Sequence, residues 1–366
     1  MDGCRVAVVH DWLTGMRGGE FALEAILDLV PQAELFTLLH ARGTTSPRLE
    51  ALRPRTSFIQ LLPFARTRYR HYLPLFPAAI EQFDLDRFDL VISTSHCAAK
   101  AAVPTGRARH LCYCFTPMRY AWDQFDAYFG PDRVGGLRSR FYRAAMRRMA
   151  RWDAATAGRV DCYIAISRYV AERIRRYYGR EAAVIAPPVD TGFYHPGEAP
   201  PRGGFVVVSA LVPYKRVDLA IEACRLAETP LRIVGDGPEA GRLRALAGPS
   251  VEFIPHCPAD ELREIYRNSR GLLLPGEEDF GIAPVEAQAC GRPVVALARG
   301  GACETVEHGV TGMLVEEATP EAFANAMRSI DDSSFDPVRL HLAACRFSRP
   351  VFAERMRSAI EAVAAT

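Results

Sequence analysis

Two glutamates with a glycine-bearing loop between them are the residues that most directly suggest chemistry. Glu278 and Glu286 are separated by seven residues within the run GLLLPGEEDFGIAPVEAQACG, residues 271–291. Residues 271–275 predict an apolar strand, and the acidic residues after them predict a loop. Pro284 favours the first turn of a helix, where the N–H that proline lacks would be unpaired. One carboxylate therefore belongs to the loop, and the other lies one turn into the helix.

Backbone amides lie between these two carboxylates. The N–H groups of Phe280, Gly281 and Ile282 come just before the predicted helix N-terminus, where free N–H groups and the helix dipole favour an anion. The loop thus offers donors for a phosphate, and the carboxylates can accept hydrogen bonds from hydroxyls. A nucleotide sugar carries both kinds of group. The alternative is that both glutamates only compensate the helix dipole at the surface.

Lysine is rare in this chain. Only two of the 45 basic residues are lysine, Lys100 and Lys215, because arginine is used nearly everywhere else. A lysine ammonium is compact and fits where a planar guanidinium does not, so each lysine is a candidate site residue. Chance remains the alternative for either position.

The first half opens with a strand, a glycine loop and a helix. Gly18 and Gly19 end the pattern G-x-x-G-G and could let the backbone approach a diphosphate closely. The pattern is not G-x-G-x-x-G, and no acidic residue follows at the dinucleotide spacing, so a nicotinamide enzyme is disfavoured. A plain tight turn is the alternative.

Other polar residues of the first half follow predicted strands. Asp11 follows the first strand, His96 and Lys100 follow a later one, and Arg119 follows the next. The carboxyl ends of parallel strands face the ligand crevice, so we expect His96, Lys100 and Arg119 near a cleft. A lone histidine or arginine at a strand end is also often structural.

The alternation of strands and helices predicts an α/β protein with two Rossmann-like, doubly wound domains. We expect an N-terminal domain over residues 1–187, a linker over about residues 188–201 and a C-terminal domain over residues 202–347. The last helix, residues 350–366, is expected to pack on the first domain. In the second domain, four strand-end loops should share one edge, at residues 209–215, 235–237, 276–281 and 300–304.

Composition narrows the class of protein. The chain has 366 residues, of which 49% are hydrophobic, and a formal net charge of +2 at pH 7. No apolar run approaches the ~18 residues of a membrane span, and the start lacks a secretory pattern. Ten cysteines without a C-x-x-C pair favour a reduced, cytoplasmic protein. Residues 132–180 contain thirteen arginines and four acids, which indicates either solvated helix surface or a face for an anionic membrane or ligand.

The sequence resembles the retaining glycosyltransferases of family 4, which have the GT-B fold of two domains facing across a cleft. The matching pieces are HDWLTGMRGGE, STSHCAAK and CFTPMRYAWD in the first half, and SALVPYKRVDLAIEA, VGDGP, EEDFGIAPVEAQACGRPVVA and GGACETVEHGVTG in the second. Within this family the chain is similar to the bacterial subgroup that makes surface polysaccharides and lipid-linked glycans.

The resemblance implies roles for individual residues. Lys215 would hold the donor diphosphate, Glu286 would accept from the ribose, and Glu278 would contact the transferred sugar. The implied catalytic set is Glu278, Lys215 and His96. The implied donor-binding set is Gly18, Gly19, Ser209, Lys215, Arg216, Gly235, Asp236, Gly237, Glu278, Phe280, Gly281, Ile282, Val285 and Glu286. Asp11, Lys100 and Arg119 are the candidates on the acceptor side.

The sequence departs from the family pattern at two positions. Many relatives have arginine where this chain has Ala210, and Arg216 is the candidate to replace that charge. Many relatives also have a histidine where this chain has Phe115, and His96 or main-chain carbonyls are the candidates for its role.

The implied reaction is transfer of a hexose, with mannose favoured, from a nucleotide sugar to a glycan or polyprenyl-diphosphate-linked acceptor. GDP-mannose is the expected donor, and a UDP-sugar is the alternative. We expect no metal, no cofactor and no nucleic-acid partner. We expect a cytoplasmic protein that contacts the inner membrane peripherally. Three rivals are another GT-B enzyme such as an epimerase or phosphorylase, a non-catalytic nucleotide-sugar binding protein and, nearly excluded, a dehydrogenase.

Overall fold

The chain folds into two compact units. A computed structural model describes residues 3–104, 106, 108–201, 203–330 and 335–365. The first unit comprises Met1–Pro188 together with Pro350–Thr366, and the second comprises Val189–Arg349. Most of the segment that we expected to be a linker, from residue 189 to residue 201, thus belongs to the second unit.

The first unit is built on a seven-stranded parallel sheet. Its strands are β1 (Val6–His10), β2 (Glu34–Thr37), β3 (Arg55–Thr56), β4 (Leu90–Ser95), β5 (Arg109–Cys114), β6 (Cys162–Ala165) and β7 (Ala182–Val184). Their order in the sheet is β3-β2-β1-β4-β5-β6-β7. The order reverses between β1 and β4, so the chain is doubly wound and the crevice of such a sheet opens beside these two strands.

Helices flank this sheet. They are α1 (Gly18–Leu29), α2 (Pro47–Ala51), α3 (Ala65–Arg68), α4 (Phe76–Glu81), α5 (Arg119–Trp122), α6 (Phe125–Phe129), α7 (Pro131–Val134), α8 (Gly136–Ala155) and α9 (Arg168–Tyr178). Short 3-10 segments occur at Phe58–Leu61, Tyr69–Leu75, Ala99–Ala101 and Thr156–Arg159. All residues of β1 and β4 are buried, which is expected of parallel strands covered on both faces.

The second unit is built on a six-stranded parallel sheet. Its strands are β8 (Phe205–Val208), β9 (Leu231–Val234), β10 (Val251–Ile254), β11 (Gly271–Leu274), β12 (Val294–Leu297) and β13 (Gly312–Val315), in the order β10-β9-β8-β11-β12-β13. The reversal falls between β8 and β11. The predicted acidic loop therefore follows a strand at the switch point, where doubly wound sheets bind ligands.

The helices of the second unit alternate with its strands. They are α10 (Val217–Leu226), α11 (Ala240–Leu246), α12 (Ala259–Asn268), α13 (Ile282–Ala289), α14 (Ala302–Thr305), α15 (Pro320–Ser329) and α16 (Pro337–Cys345), with a 3-10 turn at Pro213–Lys215. Pro284 is the third residue of α13, so the predicted helix exists and begins two residues earlier.

The last helix, α17 (Arg349–Ala364), returns to the first unit from Pro350 onwards. Phe352 of this helix is buried and its ring packs edge-on against Tyr113 of β5, with 5.7 Å between ring centroids. No helix in the described part of the chain is long and apolar enough to cross a bilayer.

Candidate functional site

Lys215 lies where the end of β8 meets the loop that follows β11. Gly276 of that loop packs directly against the backbone of the Pro213–Lys215 turn. A Cβ added at Gly276 would lie 2.5 Å from the carbonyl oxygen of Tyr214 and 2.7 Å from the Cα of Lys215. No L side chain fits at that distance, so glycine is what lets the two strand-end loops approach each other.

The ammonium of Lys215 pairs with the carboxylate of Glu278. The side chains are 13% and 15% exposed, so water screens this ion pair only partly. The ammonium also lies 5.1 Å from the ring centroid of Tyr214. The structure therefore brings together two residues of the predicted site that lie sixty-three positions apart in the sequence.

The N-terminus of α13 presents backbone donors next to this pair. Gly281 has a φ of +90°, a conformation that favours glycine, and directly precedes the helix. No described residue accepts a hydrogen bond from the N–H groups of Phe280, Gly281 or Ile282. The ring of Phe280 is buried against Phe347, at 5.3 Å between centroids, so Phe280 can offer only its backbone to a ligand.

Glu286 follows one turn into α13, is held by the hydroxyl of Tyr266 and lies near a second tyrosine. The hydroxyl of Tyr266 donates to Oε2 of Glu286 at 2.8 Å, and Tyr194 lies close enough to this carboxyl to act on its pKa. Burial raises the pKa of Glu286 from 4.5 to about 7, although both tyrosine hydroxyls act to lower it. Glu286 thus sits in a pre-arranged polar pocket within a largely apolar helix. Val285, beside it, is fully buried and cannot contact a ligand with its side chain.

The remaining predicted donor residues of the second unit have structural partners. Gly235 and Gly237 pack against the backbone of the loop after β8, where an added Cβ would collide with carbonyl oxygens. The carboxylate of Asp236 accepts from the N–H of Gly237 at 2.8 Å, and the hydroxyl of Ser209 donates to a neighbouring carbonyl at 3.1 Å. All four predicted strand-end loops do lie at one edge of the sheet.

Arg216, the candidate to supply the charge that Ala210 lacks, pairs with an acid of its own helix. Its backbone φ is +50°, and its guanidinium pairs with Asp218 at 3.3 Å in the first turn of α10. The side chain therefore turns toward its own helix, and the role of Arg216 beside Lys215 stays a prediction.

In the first unit, Asp11 positions the loop that carries His96. Its carboxylate is fully buried and accepts hydrogen bonds from the four backbone N–H groups of residues 96–99, at 2.6 to 2.9 Å. Burial would raise the pKa of Asp11, but the His96 ring and backbone N–H groups outweigh it and lower the pKa from 3.8 to about 2. Asp11 has no free surface for an acceptor, so its predicted place on the acceptor side is corrected to a positioning role.

His96 contacts Asp11 through one ring nitrogen, Nδ1. Nδ1 lies 3.0 Å from the Asp11 carboxylate, and the ring packs edge-on against Trp12 at 4.4 Å. The side chain remains 33% exposed. A carboxylate on Nδ1 selects the tautomer in which Nε2 can accept a proton or a hydrogen bond.

Lys100 is a core residue. It is 1% exposed, its ammonium lies 3.0 Å from the Asp153 carboxylate and 2.6 Å from the Asp153 carbonyl oxygen, and Thr156 accepts from it at 3.1 Å. Its prediction as an acceptor-side residue is wrong, because the side chain turns inward to Asp153. Arg119 begins α5 and is partly buried, so its predicted role stays open.

Gly18 and Gly19 are the first two residues of α1, so the alternative of a plain tight turn is wrong. The N–H of Arg17, just before them, donates to the Glu20 carboxylate at 3.0 Å. An added Cβ at Gly19 would make only ordinary contact with the Phe115 ring, at 3.6 Å. The predicted contact with a diphosphate stays a prediction.

Sequence reasoning missed the two tyrosines beside Glu286. Tyr266 looks like one of the apolar residues of an amphipathic helix, and Tyr194 lies in the segment expected to be a linker. No local pattern connects either residue to Glu286. Among the described residues, no group of three or more histidines, cysteines or carboxylates could hold a metal ion.

Two family models match the chain. Residues 32–193 match the model described as Glycosyltransferase Family 4, and residues 197–341 match the model described as Glycosyl transferases group 1. The second match contains Lys215, Glu278 and Glu286.

Curated relatives match over part of their length. A D-inositol 3-phosphate glycosyltransferase of Acidothermus cellulolyticus is 34% identical over 215 residues, 48% of each chain. A GDP-mannose-dependent alpha-(1-6)-phosphatidylinositol monomannoside mannosyltransferase of Mycolicibacterium smegmatis is 33% identical over 228 residues, 54% of this chain and 57% of the relative. The chain thus spans about half the length of the curated relatives it matches.

Solved structures share the fold over nearly the whole chain. Anabaena HepE, solved with UDP and glucose, has a TM-score of 0.71 at 18% identity and covers 98% of this chain and 100% of its own. Sucrose-phosphate synthase of Thermosynechococcus elongatus has a TM-score of 0.71 at 17% identity and covers 99% of both chains. These likenesses show the fold alone. The chain therefore has an α/β fold of the GT-B type, and its two halves are similar to the family 4 and group 1 glycosyltransferases whose models match them.

Proposed function

We propose that this protein moves a hexose from a nucleoside diphosphate sugar to a hydroxyl of a glycan or lipid-linked saccharide. One observation carries the proposal. Lys215 and Glu278 pair beside the backbone donors that precede α13, and Glu286 lies on the same helix. The ammonium and the amides suit a diphosphate, and the carboxylates suit the hydroxyls of a sugar and a ribose.

The proposed reaction retains the anomeric configuration. The bond from the anomeric carbon to the diphosphate oxygen breaks, and the ammonium of Lys215 and the loop amides stabilise the charge that grows on the diphosphate. The acceptor oxygen bonds to the same face of the anomeric carbon, its proton passes to the departing phosphate oxygen, and the nucleoside diphosphate leaves. Because these groups balance the charge, we propose that no metal is required. Loss of transfer in EDTA would contradict this.

GDP-mannose is the proposed donor, and a UDP-sugar is the alternative. The Mycolicibacterium smegmatis relative is named as GDP-mannose-dependent, which favours the first. A thermal-shift panel of GDP- and UDP-sugars, run on the parent and on Glu286→Ala, tests the choice. One nucleotide that stabilises the parent and not the variant identifies the base, and stabilisation of both proteins by the same nucleotide contradicts the role of Glu286.

The proposed acceptor is a polyprenyl-diphosphate-linked saccharide of a bacterial surface glycan. Two relatives are named for inositol phosphate and phosphatidylinositol monomannoside, which supports a phosphorylated or lipid-borne acceptor. We propose that the enzyme lies in the cytoplasm, in peripheral contact with the inner face of the membrane, and the excess of arginine over acid in residues 132–180 supports that contact.

A non-catalytic nucleotide-sugar binding protein is the second candidate, because Ala210 and Phe115 replace residues that many relatives have. Release of nucleoside diphosphate that depends on an added acceptor distinguishes the two. Release without any acceptor would favour another GT-B reaction, and tight donor binding without release would favour the binding protein.

A further inference from the structure

The long helix α8 exposes two large apolar side chains one turn apart. Leu137 is 85% exposed and Phe141 is 72% exposed. Such residues are costly to leave in water and often mark a binding face. Five exposed arginines lie along the same helix, at Arg138, Arg140, Arg147, Arg148 and Arg151. We call these seven residues the arginine face.

The charge of the arginine face is not neutralised within the described part of the chain. No described carboxylate lies within ion-pair distance of its five arginines. The one acid of α8, Asp153, is fully buried. By contrast, Arg143 on the same helix pairs with Asp126 at 2.8 Å and lies 4.2 Å from the Phe125 ring centroid. The arginine face therefore presents its full positive charge to solvent.

A second exposed apolar pair lies at the end of the Phe58–Leu61 turn and just before α3. Leu61 is 85% exposed and Phe64 is 71% exposed. Phe64 also has a φ of +55°, which is unusual for an aromatic residue and indicates strain at this loop tip. Residues 51–80 contain five arginines and no acid. Arg55 pairs with Glu34, but Arg66, Arg68 and Arg70 are exposed. Residues 61–64, which we call the Leu61–Phe64 loop, thus combine exposed apolar side chains with nearby arginines.

Both surfaces lie on the same side of the first sheet. Leu62 and Leu73 near the loop, and Tyr142 and Met146 of α8, all pack on one hydrophobic cluster. That cluster contains Ala7 and Val9, which are alternate residues of β1 and therefore lie on one face of the sheet.

We propose that the arginine face and the Leu61–Phe64 loop dock on a bilayer that contains anionic phospholipid. The apolar pairs would enter the acyl boundary, and the arginines would contact lipid phosphates. Exposed apolar pairs combined with unpaired arginines favour a bilayer over a nucleic acid, because leucines add nothing to phosphate or base recognition. The inference rests on the proposed function only in that a lipid-borne acceptor gives the docking a purpose.

Vesicle sedimentation of the full chain tests the surface, with phosphatidylcholine vesicles with and without phosphatidylglycerol. The variants L61S/F64S and L137S/F141S remove the apolar pairs, and R147Q/R148Q/R151Q removes charge. The matched control is V338S/L342S, which changes two residues of α16 in the second unit that are 61% and 64% exposed and also one turn apart.

We expect binding only to the anionic vesicles, and weakening with salt. Each apolar variant should bind about tenfold more weakly or worse, the arginine variant about fivefold more weakly per charge removed, and the control unchanged. All four variants should retain the thermal stability of the parent, since every changed residue is exposed.

Equal binding to both vesicle types, or unchanged binding by all three surface variants, would overturn the inference. Retention on RNA without vesicle binding, or self-association lost in L61S/F64S without vesicle binding, would do the same. Vesicle binding does not require turnover, so the docking surface can stand if no nucleotide sugar is consumed. Conversely, transfer to a soluble acceptor that survives in all variants leaves the proposed function intact whatever the vesicles show.

Discussion

Glu286 couples the stability of the second unit to pH. Burial raises its pKa from 4.5 to about 7. The folded state therefore holds this proton more tightly than the unfolded state, so the contribution to stability is complete below pH 4.5 and is lost as pH rises through 7. At 1.36 kcal/mol per pKa unit, the loss at alkaline pH is up to about 3 kcal/mol.

The perturbation is Glu286→Gln, which keeps the shape of the side chain and an oxygen for the Tyr266 hydroxyl but cannot ionise. We expect the variant to be more stable than the parent by up to about 3 kcal/mol near pH 8.5, and by about 1 kcal/mol near pH 5. For a domain of this size, 1 kcal/mol shifts Tm by roughly 2–4 °C, so the expected gain at alkaline pH is about 6–12 °C.

The assay is thermal denaturation of parent and variant across this pH range, with the exposed Glu317→Gln as matched control. Tyr266→Phe adds a second readout. It removes a hydrogen bond that lowers the pKa of Glu286, so the pH midpoint of the effect should move upward. A gain from Glu286→Gln that is equal at acidic and alkaline pH would refute the reasoning, as would an equal gain from Glu317→Gln. Glu286→Gln should also bind nucleotide more weakly although it is more stable. Its amide has one oxygen and cannot accept hydrogen bonds from two ribose hydroxyls as the carboxylate does.

Three further predictions concern the charged residues. Lys215→Ala should lower kcat about 10²–10³-fold in nucleoside diphosphate release, and Lys215→Arg should recover little, because a planar guanidinium does not match the pairing of a compact ammonium; full activity in either would contradict its role. Asp11→Asn should cost about 2 kcal/mol near neutral pH and nothing near pH 2, since stability present above 3.8 is lost as pH falls through about 2; urea denaturation at several pH values measures it, and a pH-independent loss contradicts it. Lys100→Met should cost about 3–5 kcal/mol in the same assay by stranding the Asp153 carboxylate, and a loss below 1 kcal/mol would show that the pair is not needed.

The sequence predicted the meeting of Lys215 and Glu278 because topology alone forces it. Both follow strands of one parallel sheet, and the ends of neighbouring strands converge at one edge. Glu286 followed from the helix that Pro284 indicated. These inferences needed only the order of elements and the residue types at their ends.

The direction of individual side chains could not be predicted in this way. Lys100 turns inward because Asp153 lies behind it, yet the two residues are 53 positions apart and no pattern links them. Arg216 turns to Asp218, which a helix start makes available to any preceding arginine. Asp11 looked like a free carboxylate because its four partners are backbone N–H groups, and every residue type except proline has such a group. Long-range partners and backbone donors decide these cases.

The chain passes between its two units twice, and the two crossing points lie side by side. Val189 donates its N–H to the carbonyl of Phe347 at 2.9 Å, and Asp190 pairs with Arg349 at 3.5 Å. The first and last residues of the second unit are therefore held next to each other by contacts within that unit. A gene fragment for residues 189–349 would encode Lys215, Glu278 and Glu286 in one continuous segment. The first unit is made of two segments, so it could be produced alone only by joining Pro188 to Pro350.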